Sequence, residues 1–494
     1  MTDLLPISLP TLGLAGCFID GAWHTPGSTL EVENPCRREV IAEVGRGGAV
    51  EVDLAVAAAR RALPAWRSLP ASQRGALLSE LGRRLTEHHE EVARLLAAET
   101  GNTIRTQSRG ETSGAASVLS YFGGVAVEQK GEVLPFGSDL FSYSTREPIG
   151  VVGSIIPWNS PLQLGCGKIA MALSTGNTLV LKPAEDAPLA ILRLTELAAD
   201  LFPPGVFNVV TGVGAGAGAA LAAHPNVDKL SFTGSSEVGF GIARNAAERM
   251  AHATLELGGK SPCIVFPDAA TEGRLDTTAQ RIINAMRFAR QGQSCTAGSR
   301  LFVHEDVWEP VMAKVVEIAE VMVVGDALDE RTDMGAIINA KRYDAVRTYI
   351  GQAEEAGAEF LTGATPLPVG DAPSFQPVPT ILAGVDNDWR INREEVFGPV
   401  MVAIPWTNEA EVIAMANDTH YGLAAYIFSH DVDTVMRISR ALEAGWIWIN
   451  EGGGQIPGMS YGGIKQSGMG REYSIEGALE AYTTRKSVTM RLGT

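Results

Sequence analysis

Several kinds of framework are missing from this sequence. Five cysteines occur in 494 residues: Cys17, Cys36, Cys166, Cys263 and Cys295. They are scattered, odd in number and never spaced C-x-x-C, which excludes a disulfide scaffold and a zinc site. No metal is expected, and a reducing compartment suits such thiols. Positive charge is scarce too. The net charge of −17 argues against nucleic acid, because nothing here neutralises a phosphate backbone. An acidic surface of this kind keeps a protein in solution. Met1-Thr2-Asp3-Leu4-Leu5 has neither the basic start nor the long apolar run of a signal peptide. One stretch, Leu201 to Val227, lacks Asp, Glu, Lys and Arg, but Pro203, Pro204, Gly205, Asn208 and His224 break it. It reads as a turn, a buried strand over Val206–Val210 and a tightly packed helix rather than a membrane span. These absences predict a soluble, cytoplasmic protein with no membrane or nucleic-acid partner.

What is present is an ordinary globular composition, 45% hydrophobic and 20% charged, in a chain too long for one core. At about 100–200 residues per domain, two or three are expected. Helical periodicity runs over Val50–Leu63 and Gln73–Glu99. Short apolar strands follow at Ile149–Ile156, Thr178–Leu181, Val206–Val210 and Lys229–Phe232, each leading through a polar or glycine-containing loop to a helix. That alternation predicts an α/β fold with a doubly wound parallel sheet, whose ligands collect at the carboxyl ends of the strands. After Gly258 the rhythm restarts: a strand at Cys263–Phe266, a helix near Thr278–Ala289, a loop holding Cys295, and a strand at Arg300–Val303. A boundary near Leu257 follows. Between Tyr121 and Arg146, and again over Lys486–Arg491, alternating residues suggest exposed strands seeking partners.

Cys295 lies in Gln291-Gly292-Gln293-Ser294-Cys295-Thr296-Ala297-Gly298. Small residues and glycines on both sides leave its sulfur approachable, as a nucleophile requires; a thiol buried in a helix or strand would be inert filler. Glu256 sits between leucines in Leu255-Glu256-Leu257-Gly258-Gly259-Lys260. Apolar surroundings raise a carboxyl pKa towards the range of a general base, whereas a solvated loop glutamate would do nothing of the sort. Asn159 is fixed between two prolines in Pro157-Trp158-Asn159-Ser160-Pro161. It is either an amide donor to an oxyanion or an ordinary turn residue. Gly234-Ser235-Ser236-Glu237-Val238-Gly239 follows a strand and opens a helix, whose first turn suits a phosphate. The run from Gly212 to Ala219 also contains G-x-G-x-x-A, a pattern that Ala/Gly-rich segments produce by chance.

Together these blocks resemble the aldehyde dehydrogenase superfamily. Six carry the likeness, in order: Pro157-Trp158-Asn159, Leu181-Lys182-Pro183-Ala184-Glu185, Phe232-Thr233-Gly234-Ser235, Glu256-Leu257-Gly258-Gly259-Lys260, Gly292-Gln293-Ser294-Cys295 and Glu394-Glu395-Val396-Phe397-Gly398-Pro399. The likeness starts at about Phe18-Ile19-Asp20-Gly21 and reaches the C-terminus. It implies an α/β fold of three parts: a Rossmann-like cofactor domain (1–124 and 147–256), a catalytic domain (257–445), and a small β oligomerisation domain (125–146 and 479–494), with 446–478 returning to the cofactor domain. A homodimer or homotetramer is implied as well.

The resemblance further implies NAD-dependent oxidation of an aldehyde to its acid. The intermediates are a thiohemiacetal and a thioester on Cys295, the latter hydrolysed by a water that Glu256 activates. Asn159 and the Cys295 backbone N–H would form the oxyanion hole, and Glu472 would lie near the proton exit. Lys182 and Glu185 would hold the adenosine ribose, Ser235 and Gly234 the pyrophosphate, and Gly214 and Gly218 the adenine side. Ile155, Ile156, Trp158, Phe232, Glu395 and Phe397 would bound the remainder of the cofactor site. Glu256 favours release of free acid over transfer to coenzyme A. Glu185 accepts from a 2′-hydroxyl and repels a 2′-phosphate, so NAD is preferred over NADP, although relatives with this residue sometimes use both. Where the family often carries aromatics, this chain has Ser160 and Gly167, and Ser294 and Thr296 flank the thiol. This predicts a widened tunnel and a bulky aldehyde, aromatic or branched, with Gln455 and Tyr461 at the mouth. No Arg or Lys stands in the matched pocket segments, which argues against a carboxylated semialdehyde. The competing readings are a cysteine hydrolase and a binding protein that lost catalysis. None of the eight histidines lies in the motif blocks, so the hydrolase lacks a His–Cys pair.

Overall fold

The computed structural model describes residues 16–271 and 273–493; Met1–Leu5 and the outer ends of the ranges 1–124 and 479–494 lie outside them. Two large sheets organise the chain. The first has eight strands in the order Gly468–Met469, His252–Glu256, Lys229–Thr233, Val151–Ile155, Thr178–Lys182, Phe207–Val210, Cys17–Ile19 and Ala22–His24. The five central strands are parallel. Chain order runs outward from Val151–Ile155 in one direction and then resumes at Lys229–Thr233 on its other side. A crevice opens at such a switch point, beyond the carboxyl ends of the two strands. The residues leaving those ends are Ile156-Pro157-Trp158-Asn159 and Gly234-Ser235.

The second sheet has seven strands: Glu359–Thr362, Thr380–Ala383, Val400–Trp406, Arg300–His304, Pro262–Val265, Ala424–Phe428 and Trp446–Ile449. All but the first pair are parallel. Both sheets have near-continuous apolar strands, as parallel sheets covered by helices on both faces require; Thr178–Lys182 and Ala424–Phe428 are buried throughout. Trp446–Ile449 belongs to this second sheet, so the return to the first begins only afterwards, at Gly468–Met469. A separate antiparallel sheet joins Val133–Leu134, Leu140–Pro148 and Thr483–Arg491. Thr29–Asn34 and Glu39–Gly45 form a small hairpin.

Most strand boundaries fall within a residue or two of the sequence reading, but two expectations are corrected. Gln73–Glu99 is not one helix. It divides into Ala71–Glu87 and His89–Thr100 at His88, whose backbone leaves helical geometry at φ −101° and ψ 19°. The first packs mainly on the helix Arg109–Val125, and the second is shared between that helix and Leu189–Ala198. The stretch from Tyr121 is not hairpin either, because Tyr121–Val125 completes a helix whose buried side chains Val118, Leu119 and Phe122 follow helical spacing. Alternation starts only at Val133.

Candidate active site

Cys295 owes its position to an irregular turn. The helix Leu275–Met286 stops at Arg287, which adopts the left-handed conformation (φ 61°), and Gln291 (φ 53°) and Gly292 (φ 63°) do the same. Left-handed backbone is uncommon for residues other than glycine and marks a segment held in place by its surroundings. Gln293 supplies part of that hold: its side chain accepts from Ile338 N at 3.1 Å and donates to Gln291 Oε1 at 2.9 Å. The thiol is thereby presented between the two sheets, half-buried.

Asn159 comes from the first sheet. Its Nδ2 donates to Gln293 O at 2.9 Å, and its own carbonyl accepts from Asn102 Nδ2 at 3.1 Å. A carboxamide has two N–H donors, so one remains available. Among the described residues the Cys295 N–H donates to no protein group. Two open donors therefore flank the sulfur. The adjoining helix, Pro161–Ser174, is fixed at its start by the buried Glu111, which accepts from Leu162 N at 3.1 Å and Gln163 N at 3.3 Å.

Glu256 ends the strand His252–Glu256, flanked by Thr233 on one side and Gly468 on the other. It is 4% exposed, and neither carboxylate oxygen has a hydrogen-bond partner among the described residues. Burial holds its carboxyl well above the usual carboxylate range, and the neighbouring Glu472 adds to this. Glu472 lies deeper, accepting from Lys168 Nζ at 3.0 Å and Ser231 Oγ at 3.1 Å. Burial likewise pushes the Cys295 thiol up to about 11, against a hydrogen bond from Tyr461 that lowers it.

Two cavities meet at this thiol. One has a volume of about 560 Å³ and the other about 380 Å³, and Asn159, Leu164, Thr233, Glu256 and Cys295 line both. The larger runs along the carboxyl ends of the first sheet, past Trp158, Glu185, Gly234, Ser235, Glu395 and Phe397. Lys182 and Gly214 stand behind its wall and hold Glu185, at 2.8 Å from the ammonium and 3.2 Å from the Gly214 N–H. Burial opposes ionisation of Glu185, but the Lys182 charge wins and keeps the carboxyl below its ordinary value. Ile155, Ile156, Phe232 and Gly218 are not on the cavity's lining, though Ile155 ends a strand that leads to it, and Gly218 lies at the far end of a wide helical turn begun by Gly214. Gly234 has to be glycine, because a Cβ there would stand 2.5 Å from the Phe232 ring.

Ser235 caps the helix Ser236–Ala247, accepting from Val238 N at 3.4 Å, which turns that helix's first N–H groups towards the cavity. Trp158 and Phe397 meet edge to face at 5.4 Å, and Phe397 takes φ 52° to do so. Glu395 accepts from Gly259 N at 2.9 Å; burial raises its carboxyl to about 7. The Arg342 Nε and the Thr233 Oγ1, both on this cavity, are buried without a partner. An ionised carboxylate, a helix N-terminus and unpaired donors in one groove suit a dinucleotide. Among the described residues no group of side chains is arranged to hold a metal ion.

The smaller cavity is lined by Ser160, Ser294, Thr296, Gln455 and Tyr461, as expected, but not by Gly167. A Cβ on Gly167 would stand 2.8 Å from the Tyr473 hydroxyl, so Tyr473 fills the space that the glycine vacates, and Gly167 does not widen the tunnel. The argument from missing cations also falls. Arg287 and Arg290 line this cavity, although Arg290 is engaged with Ser160, with Gln107 at 3.2 Å and with Glu111 at 3.8 Å. Sequence reasoning missed both arginines, along with Leu164 and Tyr473. Helical spacing was a signal for one of them: Ser160, Leu164 and Gly167 recur on one side of a helix.

A cysteine between a dinucleotide-type groove and a second cavity, with a buried carboxylate and a fixed amide beside it, suits acyl chemistry coupled to electron transfer. The chain matches the model of the aldehyde dehydrogenase family over residues 23–488. It belongs to that family. It is 40% identical over 485 residues to a phenylacetaldehyde dehydrogenase of Pseudomonas fluorescens, covering 96% of this chain and 95% of the relative. Among solved structures, the NAD+ complex of an aldehyde dehydrogenase from Bacillus cereus is 37% identical with a TM-score of 0.92, covering 97% of each chain. An NADP-dependent enzyme of E. coli is 36% identical with a TM-score of 0.92, covering 98% of this chain and 99% of that one. Like those of the family, this chain's activity is oxidation of aldehydes. Among its described residues no helix is long and apolar enough to cross a membrane.

Proposed function

We propose that this aldehyde dehydrogenase uses NAD to oxidise a bulky aldehyde, aromatic or branched, to the free acid. The observation that carries the reading is the meeting of two cavities at one thiol, with Glu256 and Asn159 on the wall that they share. The Cys295 sulfur bonds to the carbonyl carbon, giving a thiohemiacetal. The oxyanion that forms accepts from the free N–H of Asn159 and from the Cys295 N–H. When bound, NAD supplies the two-electron acceptor that converts the thiohemiacetal to a thioester. Glu256 then takes a proton from water, the water oxygen bonds to the acyl carbon, and the carbon–sulfur bond breaks to release acid and thiolate. Glu472, beside Lys168 and Ser231, carries that proton away from Glu256.

The residues that would hold the cofactor are Glu185 and Lys182 at the ribose, Ser235 and Gly234 at the pyrophosphate, and Trp158, Glu395 and Phe397 at the nicotinamide end. Gly214 and Gly218 flank the adenine side. The ionised Glu185 supports NAD over NADP, because it accepts from a 2′-hydroxyl and repels a 2′-phosphate. The first sheet serves as the cofactor domain and the second as the catalytic domain. The antiparallel sheet ending in Thr483–Arg491 serves assembly into a dimer or tetramer; among the described residues the outer edge of that strand has no neighbour, and Phe141, Met490 and Leu492 are exposed near it. Five free cysteines suit the cytoplasm.

For the substrate, support comes from the small residues on the wall of the 380 Å³ cavity: Gly110, Gly114 and Ser117 along one helix, with Ser160, Ser294 and Thr296 opposite. Leu164, Trp448 and Tyr473 add apolar surface, and Glu111 offsets the charge of Arg290. The test is NADH absorbance with an aldehyde panel. A higher kcat/KM for phenylacetaldehyde or benzaldehyde than for acetaldehyde is expected; the reverse order removes the bulky-substrate reading, and no NADH with any aldehyde removes the activity.

A further inference from the structure

The hydroxyl of Tyr461 stands 3.6 Å from the Cys295 sulfur, and no other side-chain donor reaches that sulfur among the described residues. The ring is 4% exposed. It lies between Trp446 at 5.6 Å and Tyr473 at 5.9 Å. Its backbone exchanges two hydrogen bonds with Glu472, at 2.9 and 2.7 Å. Both the ring and the main chain are therefore fixed, and the hydroxyl has one direction in which to point. No other partner for that hydroxyl occurs among the described residues.

A thiol and a phenol can each donate to the other. A thiolate has no proton, so in the reactive state only the phenol can donate. Burial, together with the negative charges of Cys295 and Glu256, holds the Tyr461 phenol well above its ordinary pKa, so it keeps its proton across the working range. We propose that Tyr461 donates a hydrogen bond to the Cys295 sulfur, which favours the thiolate over the thiol and aims it at the shared wall of the two cavities. This rests on Cys295 being the nucleophile. It gives Tyr461 a part in the chemistry rather than in the shape of the pocket mouth. Apart from this phenol, the charge of Arg290 favours the thiolate, while Glu395 and Glu256 oppose it.

The test follows alkylation of the full-length enzyme by iodoacetamide across pH, in the natural protein, Tyr461→Phe and Cys295→Ala, with aldehyde turnover measured beside it. Loss of one donor should move the inflection of the Tyr461→Phe profile up by about one pH unit. A more basic thiolate is also a better nucleophile, so alkylation below the inflection should slow by roughly threefold rather than tenfold, and the alkaline plateau should rise. A merely structural role would not give that crossing of two profiles. Placing 3-fluorotyrosine, a stronger donor, at position 461 should move the inflection down. An unmoved inflection in Tyr461→Phe, with Cys295→Ala inactive, overturns this proposal alone. Turnover surviving in Cys295→Ala overturns the nucleophile assignment and this proposal with it.

Discussion

The two cavities beside Cys295 are built differently. The larger is made mainly at strand ends: one wall follows the carboxyl edge of one parallel sheet, in short contiguous blocks such as Trp158-Asn159 and Gly234-Ser235, and the start of the helix Ala340–Glu355 adds Lys341, Arg342 and Ala345. The smaller is made from helix faces and loops far apart in the chain, from Thr106 to Tyr473. Strand ends fix position through backbone hydrogen bonds, so the first cavity tolerates little change. Helix faces vary one side chain at a time, so the second can be re-cut.

Variants can break or sharpen that contrast. Cys295→Ala should abolish turnover, by more than about 10³-fold, yet leave NAD binding intact in a fluorescence titration; joint loss of both would mean that the cavities are not independent. Glu256→Gln should give one burst of NADH and then a steady rate lower by roughly 10²–10⁴-fold, readable by rapid mixing. In the proposed mechanism the raised carboxyl of Glu256 must lose its proton to act, and the Cys295 thiol, pushed up to about 11, must as well. The steady rate should therefore climb as pH rises towards about 11 and fall as pH drops; a flat profile would exclude both groups from the limiting steps.

Asn159→Ala should raise the barrier by about 3 kcal/mol, seen mainly in kcat. Gly167→Ala forces a Cβ against Tyr473 and should cost about 1–3 kcal/mol of stability, measured by denaturant unfolding, without enlarging the substrate range. Smallest of all, Glu185→Ser should narrow the preference for NAD over NADP by roughly tenfold. An unchanged preference would move the cofactor discrimination elsewhere.

The same contrast explains what could be read in the sequence. The strand-end cavity was legible because its blocks are local: a strand pattern followed by Trp158-Asn159 or Gly234-Ser235 needs no distant partner to be recognised. The parallel sheets were legible from their apolar runs for the same reason. Arg287 and Arg290 were not, because their place depends on three left-handed residues between Met286 and Cys295, of which only Gly292 announces itself. Gly167 misled because a missing side chain says nothing of what fills the gap, and Tyr473 lies 306 positions later in the chain. The break at His88 had no proline or glycine to mark it, and it shows only in the backbone angles there.

Glu256 has the late strand Gly468–Met469 as a lateral neighbour, and Tyr461 and Glu472 pair with each other just beside it. During synthesis the emerging chain therefore holds the reactive sulfur long before the segments that enclose it leave the ribosome. Until Gly468–Met469 pairs with it, His252–Glu256 is the edge strand of the first sheet.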